Sequence, residues 1–442
     1  MSYAATVAAP YTASVGTPTI LFDDGKGHTA PLTDLRPAYG VRTGAFTIAE
    51  RLIRSLDLDV VAAFVPAALV ELAAEQTACP VNQIPELVGP EPVLIVSGRL
   101  VVPIEQIGAL EPGQALICDS TEDLIAAKLV PADALGFLTG GNPPLELIRI
   151  TDPPLLARPW GPISMLSDAL DADLALLAAE LPAIDASLRR EGGVTVLGEH
   201  PVLVHPSTEL SPTVVIDARV GAVAIDENAI IEPQALIAGP AYVGPGSTVL
   251  AKAHLKARSC IGPVCKVAGE IGSTVFQGYA NKGHDGHLGD SWIGEWANLG
   301  AATTNSNLLN TYTDVVAAAP GQTRERTGLT FLGCVLGDHT KTAIATRIMT
   351  GAIAGTGTMH AAGTPLTGTT DRFAWVTDGG RKHYRIGKFV EVAMAVMDRR
   401  GIRPSQAYSR RLTILHEAAT GEHSAVNWPG KLAVEQRAGG QP

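Results

Sequence analysis

The sequence predicts an α/β N-terminal domain, a parallel β-helix of hexapeptide repeats and a short C-terminal helical region, and three observations carry that prediction. Short apolar strands alternate with helical periodicity from about Pro18 to Gly193. An aliphatic residue then returns at every sixth position from Ile225 to Val267, and a helical apolar pattern resumes after Tyr384. At 442 residues the chain is too long for one ordinary core, and with 46% hydrophobic residues it has the apolar material for more than one.

Composition also excludes some roles. The 33 Lys and Arg against 44 Asp and Glu give a net charge of −11, which argues against wrapping nucleic acid or sitting on an acidic membrane. No apolar run approaches the roughly 20 residues of a membrane helix, so no membrane insertion is expected. The opening MSYAATVAAPYTASVGTPT has no basic start and no leucine-rich core. Residues 1–17 therefore read as a disordered leader, and the expected address is cytoplasmic. Five scattered cysteines, Cys79, Cys118, Cys260, Cys265 and Cys334, read as buried thiols and not as a disulfide framework.

In the first domain, residues 18–195, strands are expected around Ile20 to Phe22, Val60 to Val65, Val93 to Val96 and Ala115 to Cys118. Ile48, Leu52 and Leu56 recur at four-residue intervals and predict a helix over Phe46 to Leu56. Pro66 opens a second helix through Leu69 and Leu72. A longer helix over Ser164 to Arg190 carries Leu166, Leu170, Leu174 and Leu177, with Pro182 kinking or dividing it.

The middle, residues 200–375, changes period. Ile225, Ile231, Ile237, Val243, Val249, Leu255, Ile261 and Val267 fit neither the 3.6-residue helix nor the two-residue strand. If about one position in four is aliphatic, eight successive matches arise by chance roughly once in 10⁵. A repeat of six fits short straight sides, three to a coil, each aiming one aliphatic residue at an internal axis. The pattern begins with Val202, Val214 and Val220 and returns as Ile293, Leu299, Leu336, Ile348 and Ala354. Phe276 to Asp290 and Asn310 to Thr327 are expected to leave the coil as excursions on one face, and Ala361 to Thr370 to end it. Helices follow over Tyr384 to Arg400 and Tyr408 to Ala419, within a region spanning 380–420, before a flexible tail at 421–442.

The six-residue repeat followed by GYANKGHDGHLGDSWIGEWANLGAATTNSN, Gly278 to Asn307, resembles the bacterial bifunctional GlmU-type enzymes and, more closely, their sugar-nucleotidyltransferase-like relatives. The resemblance covers about residues 18 to 400. It implies a Rossmann-like nucleotidyltransferase domain and a left-handed β-helix, assembled as a homotrimer, that acetylates the amine of glucosamine 1-phosphate with acetyl-CoA. It puts His284 on the catalytic histidine, whose neutral imidazole would take a proton from the ammonium sugar. His287 is a second imidazole nearby. Asn305 and Asn307 fall where the family holds the acetamido group and thioester, with Leu308 in place of a tyrosine, and Lys282 is a phosphate contact. A tightly turning structural loop, or a metal held by His284, His287 and Asp285 or Asp290, are the other readings of the same patch.

The segment Leu336 to Gly357 resembles the coils that accept coenzyme A, with Lys341, Arg347 and Arg372 as its phosphate contacts. In the first domain Gly25 and Gly27 match the family's paired phosphate-wrapping glycines. Arg99 ends the strand that in the family presents a magnesium-binding Asp, so Mg2+ would need Asp23 or Asp119, whereas Arg36 and Arg99 would meet a phosphorylated sugar or nucleotide. The expected function is acyl transfer to an amino sugar phosphate or nucleotide sugar. The alternatives are a sugar-1-phosphate nucleotidyltransferase with a structural β-helix and a non-catalytic nucleotide-sugar-binding scaffold.

Overall fold

A computed structural model of the protein describes residues 16–84, 91–141, 143–184 and 193–421. Its N-terminal part is a six-stranded sheet built from β1 (Thr17–Phe22), β2 (Leu58–Phe64), β3 (Val93–Ser97), β4 (Gln114–Cys118), β5 (Leu124–Leu129) and β6 (Glu146–Ile150), in the order β2-β1-β3-β5-β4-β6. β1 pairs parallel with β2 and β3, whereas β5 runs antiparallel to both β3 and β4. The sequence prediction missed β5 and β6, because LIAAKL and ELIRI are too short and too mixed to separate strand from helix by period.

Helix α1 (Ile48–Leu56) starts at a capping box, in which the Thr47 hydroxyl accepts from the Glu50 amide and the Glu50 carboxylate accepts from the Thr47 amide. α2 (Val70–Gln76) follows a turn that begins at Pro66, and α3 (Pro131–Leu138) carries proline in its first turn. A single turn, α4 (Gly161–Ser164), leads into α5 (Leu166–Glu180). α5 stops at Leu181, which is extended as the residue before a proline prefers, so the helix ends before Pro182 and does not continue kinked through it. Arg51 of α1 and Asp173 of α5 are fully buried and form a two-bond ion pair, Nε to Oδ1 and Nη2 to Oδ2, each 2.7 Å.

From residue 195 the chain winds as a three-faced parallel coil. The first face stacks nine short strands, from Val202–Val204 through Val223–Ile225, Ala241–Val243, Ser259–Ile261, Val275–Phe276, Trp292–Ile293, Cys334–Leu336 and Ala352–Ala354 to Thr369–Thr370. The second runs from Thr195–Leu197 to His287–Gly289, and the third from Glu209–Leu210 to Asn281–Lys282. All eight aliphatics of the repeat point at the axis with no exposure. In register, Ile225 sits under Val243, Val243 under Ile261, Ile261 under Phe276 and Phe276 under Ile293. Corners recur at the same interval, with Asn228, Gln234, Gly246, Lys252, Arg258 and Val264 all at positive φ.

Three expectations need correction. Val220 is not an axial residue but lies 76% exposed at a corner. Phe276 to Asp290 is no excursion: it supplies strands to all three faces, concealed because the six-residue frame breaks at Ile271 and Lys282 takes an axial position beside Phe276 and Leu288. Asn310 to Thr327 does leave the coil, as an antiparallel hairpin pairing Val316–Ala317 with Glu325–Arg326. The coil also continues through Ala361 to Thr370, since Thr369–Thr370 pairs with the strand below it.

The first face is apolar on both sides. Its outward residues Leu203, Ala224, Tyr242, Cys260, Val275, Trp292, Val335 and Ile353 belong to one buried cluster with the N-terminal sheet and its helices. The docking segment is the loop between β1 and α1. There Arg42 donates its amide to Gln277 Oε1 (2.8 Å), and Trp292 Nε1 donates to the Arg42 carbonyl (3.1 Å). Two C-terminal helices, α6 (Ile386–Asp398) and α7 (Gln406–Thr420), complete the packing, α7 against α2. Residues 1–15 and 422–442, with most of the expected leader and tail, lie outside the described residues. No helix among the described residues is long and apolar enough to cross a membrane. The five cysteines are unpaired, four of them buried.

Candidate functional site

Two places gather polar side chains, an open cleft in the N-terminal domain and a patch at the upper end of the second face of the coil, here called the notch. The cleft, about 630 Å3, opens where β1 ends and is walled by Phe22, Phe64, Ile117 and Leu124, with Asp23, Asp24 and Lys26 at its rim. Gly25 and Gly27 adopt φ of 65° and 81°, the left-handed region that glycine enters without strain.

The loop's donors are already engaged. The Gly25 amide donates to Asp23 Oδ1 (2.9 Å) and the Lys26 amide to Asp24 Oδ1 (2.9 Å). Gly27 is needed for another reason: a Cβ there would lie 3.1 Å from the Ala157 backbone. Arg99 is 1% exposed, and its Nε and Nη2 reach both Asp24 oxygens at 2.8 Å, while Nη2 also meets Asp123 Oδ2 at 2.7 Å. Lys26 Nζ closes the ring on Asp123 Oδ1 at 2.7 Å. Burial opposes ionisation of Asp123, but hydrogen bonds from Lys26 and Arg99 outweigh it and hold its carboxyl below the usual range.

These residues do not fit magnesium. A hard cation needs several carboxylate or carbonyl oxygens turned to one point. Here a guanidinium occupies the strand end and takes Asp24 and Asp123. Asp23 spends its oxygens on the amides of Gly25 and Ala38, and burial raises its carboxyl. Asp119 accepts from the Thr151 hydroxyl (2.8 Å). No group of three or more His, Cys, Asp or Glu is arranged to hold a metal ion among the described residues, including the His284, His287, Asp285 and Asp290 patch.

Arg36 is not in the cleft. It is buried between the domains, with Nη2 3.0 Å from Asp338 Oδ1 and 3.3 Å from Glu295 Oε2. Arg372, expected to meet coenzyme A, is held instead by both carboxylate oxygens of Asp34. Lys341 is half-buried and bonds the His339 carbonyl (3.3 Å), and burial pushes its ammonium down to about 8. Arg347 is exposed and bonds the Gly363 carbonyl (3.0 Å). Lys341 lies on the third face and Arg347 pairs beside Thr304, so the three basic residues form no single cluster. A six-residue step carries the chain to the next face, and that step separates Lys341 from Arg347.

The notch lies at the upper end of the second face. His284 sits exposed at the corner between Asn281–Lys282 and His287–Gly289. Lys282 does not face solvent, because it stacks over Val267 in an axial column. Its Nζ turns back to the carbonyls of His284 (2.6 Å), Asp285 (3.2 Å) and Ala268 (3.4 Å). Burial pushes its ammonium down to about 8. It therefore staples the loop and is not presented to a phosphate.

His287 points outward, its Nδ1 3.3 Å from Glu270 Oε1, which also takes Lys256 Nζ at 3.1 Å. Asn305 is consumed by the framework. It accepts from the Gly289 amide (2.9 Å) and donates to the Gly289 carbonyl (2.8 Å) and Ser291 Oγ (3.1 Å). Asn307 instead donates to Asp290 Oδ2 (2.6 Å), a carboxyl that burial raises. Glu270 and Lys256 escaped the sequence reading, which offered Asp290 only as a metal ligand. The outward column Leu236, His254, Glu270, His287, visible only in register, is what aligns the two imidazoles with Glu270 between them.

A family model described as sugar nucleotidyl transferase matches residues 19–181. The bifunctional protein GlmU of Rhodococcus opacus is 27% identical over 280 residues, 56% of this chain and 52% of that protein. Its counterpart in Rhodococcus jostii is 26% identical over the same shares. In Rippkaea orientalis the bifunctional protein GlmU is 26% identical over 136 residues, 26% of this chain and 30% of that protein. The matched regions thus span between 30% and 52% of the length of these relatives. On these matches and the observed topology, the N-terminal domain is sugar-nucleotidyltransferase-like, and the parallel coil resembles members of the GlmU superfamily.

Proposed function

We propose that the chain is a transferase that moves an acyl group from a coenzyme A thioester to the amine of an amino sugar phosphate or nucleotide sugar, at the notch on the second face. The single observation that carries this reading is the convergence of His287, Asp290 and Asn307 around Gly289, within the Gly278–Asn307 segment that resembles the GlmU-type enzymes. An imidazole there can take the ammonium proton that blocks attack on a thioester. The assembly would be a homotrimer, with the first face already covered by the N-terminal domain and the other two left for neighbours. Thiol release from acetyl-CoA in the presence of glucosamine 1-phosphate and related amino sugars, with the amide product identified by mass, tests the reading. No release with any amine acceptor or acyl donor would sink it.

The match of residues 19–181 to a sugar nucleotidyl transferase family favours a second reading, transfer or binding of a nucleotide in the N-terminal cleft. Pyrophosphate release from a nucleoside triphosphate and a sugar 1-phosphate would support transfer. Against it stand the occupied loop amides and the Arg99 ion pairs.

A further inference from the structure

Two ammonium groups of the described residues are pushed by burial down to about 8, those of Lys282 and Lys341. Lys282 is 1% exposed and spends its Nζ on three carbonyls, so no reagent reaches it. Lys341 is half-buried and stands in the outward column of the third face, Lys266, Asn281, Asn298, Lys341, Met359 and Trp375, each in register with the next. Met359 and Trp375 pack against the main hydrophobic cluster, whereas Asn298 is exposed. Lys341 therefore sits where the covered part of the face ends, with apolar side chains on one side of it and open surface on the other.

A cation in that position ordinarily takes a carboxylate partner. Lys26, Lys256 and Lys388 each have one, at 2.7, 3.1 and 2.7 Å. Among the described residues Lys341 has none: its Nζ bonds only the His339 carbonyl, at 3.3 Å. The His339 imidazole, the titratable group two residues away, is itself held well below its ordinary range by burial and adds no negative charge. An amine that its surroundings keep neutral, and that solvent still reaches, is a nucleophile. Asn298 pairs with Lys341 at one strand spacing, ~4.8 Å. Its Oδ1 accepts from Asn281 Nδ2 (2.8 Å), which leaves Nδ2 as its donor to spare. We infer that Lys341 is a site of self-acylation: its Nζ takes the acyl group of a coenzyme A thioester, and Asn298 Nδ2 donates to the carbonyl oxygen as charge develops there.

This does not rest on the transfer of an acyl group to a sugar, because the acceptor is the chain's own amine. The ammonium first gives one proton to solvent. The freed lone pair forms a C–N bond to the thioester carbonyl carbon and the C–S bond breaks. A second N–H proton goes to the departing thiolate. The products are an amide on Lys341 and a free thiol, and the third face loses one positive charge.

Incubating the full chain with acetyl-CoA and no sugar, then reading each lysine in digests by mass spectrometry, tests this. Near neutral pH Lys341 should be acetylated at least tenfold faster than Lys266, the exposed lysine of the same column. Its rate should rise with pH and level off above about 8, where the neutral amine saturates. An ordinary exposed lysine keeps gaining until about pH 10.4. N298A should slow acetylation of Lys341 several-fold without moving that midpoint, and an unchanged rate removes Asn298 from the assignment. Acetylation of Lys341 no faster than that of Lys266 overturns the site. So does labelling of Lys341 by acetic anhydride but not by acetyl-CoA, which would show an amine open to small reagents and closed to the thioester. Since no sugar is present, each outcome is read whether or not the chain acetylates an amino sugar.

Discussion

Arg372 and Asp34 lie 338 residues apart and form a two-pronged ion pair, Nε to Oδ2 at 2.7 Å and Nη2 to Oδ1 at 2.6 Å. Thr356 Oγ1 adds a third bond to Asp34 Oδ2 (2.7 Å), and Arg411 Nε donates to the Asp34 carbonyl (2.9 Å). One carboxylate from the N-terminal loop thus gathers two late coils of the β-helix, and its backbone carbonyl takes up α7.

Removing Asp34 should strand these donors. Arg372 is partly exposed, so leaving its guanidinium without the carboxylate costs about 1–3 kcal/mol. D34A should therefore lower the urea midpoint and expose the loop between β1 and α1 to limited proteolysis. Replacing both members, as D34L with R372M, should restore most of the loss, because no buried charge is then left alone. A D34A chain as stable and as protease-resistant as the parent would show that the clamp is incidental.

The cleft makes a second case. Arg99 bridges Asp24 and Asp123 much as a cation bridges carboxylates, and Lys26 balances the remaining oxygen. The parent chain's melting temperature should therefore not respond to millimolar Mg2+ or Mn2+. R99D would bring three carboxylates together and create the cation demand that the guanidinium now meets, so that variant should melt lower without metal and rise with Mn2+. A metal-dependent rise in the parent chain, abolished by D24N, is the outcome that would refute the claim.

Asp338 makes the interface sensitive to pH. Burial raises its carboxyl to about 6, with Arg36 opposing and Glu295 adding to the shift. One of its oxygens, Oδ2, has no hydrogen-bond partner among the described residues. The unfolded chain releases this proton near 3.8, whereas the folded chain holds it until about 6. Between those values the folded state binds more protons, so this residue's contribution to stability falls as pH rises and then levels off. Urea midpoints measured from pH 4 to 7 should show a flatter slope for D338N than for the parent. Identical slopes would remove Asp338 from the account.

Much of this architecture was legible beforehand because it depends on short-range pattern. Ile225 to Val267 marked the axial column without error, and the α1 periodicity located the helix to within two residues of its start. The pattern failed at the candidate site. Phe276 to Asp290 follows a break in the six-residue frame at Ile271 and is rich in glycine and histidine, so it read as an excursion although it forms three sides of the coil. Lys282 in particular occupies an axial position, which no hydrophobic count would assign to an ammonium. One available signal went unused. First-face strands such as VLV, AYV and CVL are apolar throughout, and a side buried on both surfaces must be covered by something.

Residue order by itself determined the elements and the winding of the coil, because strand, corner and axial position are set by spacings of a few residues. It also supplied the imidazoles and amides of the notch. Only the tertiary structure decided which charges meet: that Arg36, Arg99 and Arg372 are spent on carboxylates, that Lys282 turns inward, and that Glu270 stands beside His287. The charge pairings among these join side chains 17 to 338 residues apart, and the distance between two charges follows from how coils stack and domains dock, which no local period encodes.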